Sequence, residues 1–317
     1  MADELDTDAK ETTTTTGAIG EPAFVDLFAG TALNAADADA VTLRSPVQLV
    51  VLSGAEGSGK TTALASIYER LSQGPFAGFQ FSGSRSLLGF EEVCHLNRLA
   101  SGSTEPDTAR TVRTQDAAYY HLALTGVAAG ERRRHVLMSA VSGELFRLAR
   151  NSREDCERLT FLHRADAIVV LVDGARLAMP EQRTNAHADA SGILESFLDA
   201  KMVGASCRVE FIFSKLDRVL AAGQSALAFL NTTEKKLEAK FRPRLPNLTF
   251  RKIAARPAPS SSSGELNDGL ADAFVSWTAL EPRGAMKPWM QSAPPSDARE
   301  FSKFGWRHFE QIEGAKP

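Results

Sequence analysis

Gly54-Ala55-Glu56-Gly57-Ser58-Gly59-Lys60-Thr61 spells GxxxxGK[ST], the spacing of a loop built to hold phosphate. Glycines let the backbone curl until successive N–H groups point inward. A helix that starts at the loop's end adds partial positive charge. Lys60 can reach β- and γ-phosphates, and the Thr61 hydroxyl can ligate Mg²⁺. Glu56, Ser58 and Thr62 complete the expected binding set. A chance glycine turn would need no particular flanks. Here the apolar run Val47–Leu52 precedes the loop and the helix-like Thr62–Tyr68 follows it. Strand, glycine loop and helix together point to a bound nucleoside triphosphate.

A second group lies about 150 residues further on. The apolar strand Phe211-Ile212-Phe213 ends in Ser214-Lys215-Leu216-Asp217. This resembles the [NT]KxD motif with which GTPases read guanine, Ser standing for Asn. The resemblance implies that Asp217 accepts the ring N–H and the exocyclic amine of guanine, while the Lys215 stem lies along the base. Adenine offers no such donor pair, so a buried, unmet carboxylate would penalise ATP. A surface Lys and Asp at an ordinary strand end is the plain alternative. Ala254, after the strand Leu248–Ala254, falls where that family places a small-residue loop over the base.

These groups need a scaffold, and the pattern supplies one. Strands are expected at Val47–Ser53, Tyr119–Gly126, Arg133–Ala140, Ala167–Asp173, Val209–Phe213 and Leu248–Ala254. Near-continuous apolar runs such as Ala-Ile-Val-Val-Leu-Val mark strands covered on both faces. Helices are expected at Lys60–Gln73, Phe90–Ala100, Leu145–Arg164, Asn185–Met202, Ser225–Phe241 and Leu270–Leu280. The alternation predicts a three-layer α/β P-loop fold, mostly parallel, with one antiparallel hairpin strand. Residues 74–115 form a long polar connection of the kind that carries function. Residues 1–21, acidic and Thr-rich, read as an unstructured leader without the apolar core of a signal peptide. The expected domain covers residues 22–257, with Phe24–Phe28 packing on its edge. A Pro/Ser linker, a closing helix and a tail with two Trp fill 258–317.

Composition excludes other classes. The formal net charge of −3 gives no general attraction to nucleic acid, although Arg132-Arg133-Arg134 cluster. Three scattered cysteines, Cys94, Cys156 and Cys207, form no disulfide framework or zinc spacing and fit a reducing cytoplasm. His95, His121 and His135 show no metal-ligand spacing. No apolar run reaches the roughly 18 residues of a membrane helix.

Over about residues 47–257 the chain resembles the TRAFAC class of GTPases. Within it the chain looks most like the bacterial double-GTPases of conflict systems. The narrower likeness rests on the run Phe81–Glu92, on His121-Leu122 and on Ser142-Gly143-Glu144. The class ends its hairpin strand in Asp-x-x-Gly, the aspartate holding Mg²⁺ through water and the glycine binding the γ-phosphate. Here Gly143 is in place and the aspartate position is Ala140, native or introduced by one Asp→Ala change. Loss of that carboxylate implies weak Mg²⁺ handling and slow turnover. Ser139 or Asp173 could compensate, although Asp173-Gly174 also suits a plain strand terminus. The resemblance further implies a Mg²⁺-binding Thr in the first switch, Thr111 or Thr114 ahead of Thr108. It implies a water-positioning residue at Glu144, and an arginine finger at Arg85, Arg110 or Arg113. The functions this leaves open are a GTP/GDP-bound switch signalling to a protein partner in a defence operon, a non-hydrolysing nucleotide-bound scaffold, and a P-loop ATPase. Dimerisation across the nucleotide remains open as well.

Overall fold

The structure, a computed structural model, describes residues 30–94, 117–128, 133–256 and 269–279. The leader, Phe24–Phe28, the 257–264 linker, the tail after Ala279, His95 and the candidates Thr108, Arg110, Thr111, Arg113 and Thr114 lie outside the described residues.

Seven strands form one sheet: β1 (Val47–Gly54), β2 (Phe79–Gly83), β3 (Ala118–Gly126), β4 (Arg134–Ala140), β5 (Ala167–Asp173), β6 (Arg208–Ser214) and β7 (Thr249–Lys252). Their order is β2-β3-β4-β1-β5-β6-β7. β1 pairs in parallel with both β4 and β5, and β3 alone runs against its neighbours. Every residue of β1 and β5 is buried, as their unbroken apolar runs require. Alternate side chains then feed opposite layers. Val47, Leu49 and Val51 join one core, Val50 and Leu52 the other.

The helices complete the two outer layers. The layer over Val50 and Leu52 contains α2 (Lys60–Gln73), α3 (Leu87–Cys94) and α10 (Leu270–Thr278). The opposite layer contains α1 (Ala35–Thr42), α4 (Gly143–Asn151), α5 (Arg153–Glu157), α6 (Gly174–Ala178), α7 (Arg183–Asp199), α8 (Leu216–Ala221) and α9 (Gln224–Phe241). α10 is fastened at the base of the sheet. Gln48 Nε2 donates to Ala279 O at 2.8 Å, Arg208 to Trp277 O at 3.0 Å, and the buried Trp277 indole to Glu210 at 2.7 Å.

The structure departs from the sequence expectation in four places. The helix expected at Phe90–Ala100 begins earlier, at Leu87, and is described to Cys94. Phe90 sits between Tyr68 and Tyr120 with ring centres 4.7 and 4.9 Å away, which fixes its register. The single helix expected over Leu145–Arg164 breaks at Ser152. That residue is extended, and its hydroxyl accepts from Asp155 N to start α5. A 3₁₀ turn over Thr160–Arg164 follows. Within the expected loop 74–115, Phe79–Gly83 adds β2 at the sheet edge beside β3. Residues 22–46 contain α1, capped by Asn34, whose side chain accepts from Asp37 N at 2.9 Å.

Candidate nucleotide site

β1 delivers Gly54 to the C-terminal edge of the sheet, and the loop turns there. Gly54, Gly57 and Gly59 have φ of +146°, +75° and +95°, conformations that L side chains rarely adopt. Gly59 caps α2, so Lys60, Thr61 and Thr62 form its first turn, with the helix's unpaired N–H groups at the loop. Lys60 folds back over this loop. Its ammonium donates to Gly54 O at 2.8 Å and Ala55 O at 2.9 Å. Burial pushes its pKa down to about 8, against the opposing pull of Glu56 and Asp173. The loop therefore holds a partly desolvated cation at the start of a helix, a setting that an anionic ligand would relieve.

β4 lies directly beside β1, with Ala140 opposite Leu52. Three residues later Gly143 opens α4, and its backbone presses on the phosphate loop. A Cβ on Gly143 would lie 2.4 Å from Glu56 N and 2.7 Å from the Ala55 carbonyl carbon. Ser142 caps α4 by accepting from Leu145 N. Glu144 stands next to this contact and faces Arg147 at 3.6 Å. Ala55, Glu56, Gly143, Glu144, Arg147, Arg150, Asp189 and Ile193 enclose a cavity of about 240 Å³ beside the loop. Arg150 and Arg176 both bond Asp189, fastening α4 and α6 to α7.

β6 brings the second group to the same edge. Ser214 Oγ donates to Ser58 O at 2.7 Å, with Val172 O at 3.2 Å as a second neighbour. A serine hydroxyl thereby ties the Ser-Lys-x-Asp segment to the phosphate loop. Lys215 adopts the left-handed conformation, φ +53° and ψ +43°, and caps α8. Its ammonium lies 3.0 and 3.1 Å from the two Asp173 oxygens. Leu216 N donates to Ile253 O, and Ile253 N to Phe213 O, so Ala254 comes alongside this turn. Asp217 opens α8 with its carboxylate only 7% exposed.

Of the residues singled out from sequence, Gly54, Glu56, Gly57, Ser58, Gly59, Lys60, Thr61, Thr62, Gly143, Glu144, Ser214, Lys215, Asp217 and Ala254 gather at one sheet edge. Thr111 and Thr114 lie outside the described residues. Arg85 sits on the Ser84–Ser86 turn, where its backbone N–H donates to His121 Nδ1 at 3.0 Å. Sequence reading did not single out Arg147, nor Arg150 and Asp189, which bond each other from 39 positions apart in the chain. Asp173 acquires a definite place: its carboxylate caps α6 through Ala175 N and Arg176 N. Among the described residues no group of three or more His, Cys, Asp or Glu is placed to hold a metal ion. No helix among them is long and apolar enough to cross a membrane.

The family model described as Double-GTPase 2 matches residues 48–278, from the start of β1 to the end of α10. No curated protein matches the chain.

Proposed function

The chain belongs to the Double-GTPase 2 family and is a P-loop GTP-binding protein, and on that premise we propose that it works as a guanine-nucleotide switch. In this reading a protein partner reads the state of α4 and of the connection after α3. The output falls in a bacterial conflict system, as the family resemblance suggests.

The residues fit the ligand. Three glycines with positive φ and the start of the 14-residue α2 offer N–H groups to phosphate. Lys60 leaves its carbonyl partners to meet the β- and γ-oxygens. Thr61, with Thr111 as its switch partner, would hold Mg²⁺ through hydroxyl oxygens. Bound there, the ion would neutralise charge between the phosphates. Asp217 reads the two guanine donors, Lys215 supports the base, and Ala254 covers it. Gly143 must yield where the γ-phosphate enters, and Glu144 follows it to orient water. With Ala140 where the class has aspartate, turnover is slow.

The observation that carries this reading is the Ser214–Ser58 bond, which joins the base-reading segment to the phosphate loop at 2.7 Å. The test is calorimetric titration with GDP, a non-hydrolysable GTP analogue and the matching ATP analogue, each with and without Mg²⁺. Tight guanine binding with ATP silent supports the switch. Equal or stronger ATP binding would transfer the site to an ATPase. A second reading, a scaffold that holds nucleotide without hydrolysing it, is favoured by Ala140 and is separated from the switch by measuring phosphate release.

A further inference from the structure

Lys215 is one of three non-glycine residues with positive φ among the described residues. That conformation costs about 1–2 kcal/mol and persists only where its surroundings dictate it. Here several features converge. Leu216 N is held by Ile253 O at 3.0 Å, and Lys215 O accepts from Arg218 N at 3.0 Å. Gly174 leaves room for the turn: a Cβ there would lie 2.1 Å from Ser214 O and 3.2 Å from Lys215 O. The backbone of Lys215 is thus set by β6, the 253–254 turn and a glycine on β5's end.

Its side chain is set by one residue. Asp173 ends β5 directly opposite Ser214, where β6 ends. The carboxylate is 5% exposed, while the Lys215 side chain is 34% exposed. Oδ1 accepts from Ala175 N and Arg176 N, and both oxygens face the Lys215 ammonium at 3.0 and 3.1 Å. A buried carboxylate that is itself immobilised by a helix cap anchors the tip of a half-exposed lysine. A lysine chain has four rotatable bonds, and pinning both ends removes most of their freedom. With its backbone next to Ser214 and its ammonium on Asp173, the partly exposed side chain has its stem held between the ends of β6 and β5.

We propose that Asp173 is a positioning residue for base recognition, holding the Lys215 stem as a preformed apolar platform for the purine face. This rests on the reading of Ser214–Asp217 as the guanine-reading segment. Asp173 touches neither base nor phosphate in this scheme and acts through Lys215. The platform exists before nucleotide arrives, so binding does not have to order the lysine.

The test is Asp173→Asn in the full chain. Asparagine keeps an oxygen for the Ala175 and Arg176 N–H groups, so the cap and the fold survive, while the charge that draws Lys215 is lost. The probe is a fluorescent GDP, displaced by unlabelled GDP. Roughly tenfold weaker binding is expected, with the melting temperature of the nucleotide-free protein unchanged. Lys215→Met keeps an apolar stem and removes the ammonium. In that background Asp173→Asn should cause no further loss, because the two act as one unit. Full additivity, or wild-type GDP affinity in Asp173→Asn, would overturn the inference. The underlying reading fails separately: if the wild type does not prefer GDP to ADP, or Asp217→Ala keeps that preference, the segment does not read guanine.

Discussion

Ser214 Oγ sits 2.7 Å from Ser58 O, so a buried hydroxyl joins two loops 156 residues apart in the chain. Ser214 stands where the related GTPase motif has asparagine. Ser214→Ala strands the Ser58 carbonyl and is expected to cost about 1–2 kcal/mol of stability. GDP affinity should fall roughly tenfold with it. Ser214→Asn, which restores a donor, should bind like the wild type. Melting curves and GDP titration of the pair check this.

Gly143 leaves no space for a side chain against the phosphate loop. Gly143→Ala must therefore displace α4 or the Ala55–Glu56 backbone, at a cost of about 1–3 kcal/mol. The expected signature is a lower melting temperature together with weaker binding of the GTP analogue. Unchanged values for both would mean that α4 moves freely away from the loop.

Lys60 has its pKa pushed down to about 8 by burial. Phosphate at the loop favours the charged ammonium and raises that value. Nucleotide binding at pH 8.5 should then take up roughly 0.7 proton at this group, and almost none at pH 6.5. Calorimetry in buffers of different ionisation enthalpy measures the difference. An absence of buffer dependence at pH 8.5 would show that the ammonium is already fully charged in the free protein.

Ala140 ends β4 opposite Leu52, two residues before Gly54 in register. Ala140→Asp restores the carboxylate that the resemblance expects at this strand end. Mg²⁺-dependent release of phosphate from GTP should rise roughly tenfold or more. If it does not rise, this one position does not set the rate of turnover.

His121 and His135 stack on adjacent strands with His121 Nε2 3.0 Å from His135 Nδ1. Arg85 N donates to His121 Nδ1, so neutral His121 carries its proton on Nε2 and donates it onward. A further proton has no acceptor that keeps both bonds. Burial, with His135 and Arg85 adding to it, pushes His121 down to about 4 from 6.5. Between those values the unfolded chain binds more protons, so stability is full above pH 6.5 and falls toward pH 4. The drop is about 2–3 kcal/mol. Urea melts across this range, compared with His121→Gln, should show a flatter slope in the variant.

The sheet and the phosphate loop were legible in sequence because their signals are local. Glycine spacing fixes the loop, and unbroken apolar runs fix β1 and β5. The break at Ser152 carried a local signal as well, Ser152 three residues before Asp155, which is the signature of a helix start. The amphipathic pattern on either side masked it. β2 was hidden because five residues of Phe-Gln-Phe-Ser-Gly become a strand only through pairing with β3. The ion pairs of Asp173 and Asp189 join residues 13 to 42 positions apart, and no local pattern encodes such distances.

The fastening of α10 sets an order on the protein's making. Gln48, at the root of the phosphate-loop strand, finds its carbonyl partner on Ala279, 231 residues later. Trp277, on that same late helix, supplies a donor to the buried Glu210 carboxylate. A ribosome releases the phosphate-loop strand well before the helix that closes beneath it. A nascent chain stalled between the two would leave the core that Leu270, Ala273, Phe274 and Trp277 share with Val50 and Leu52 open to water.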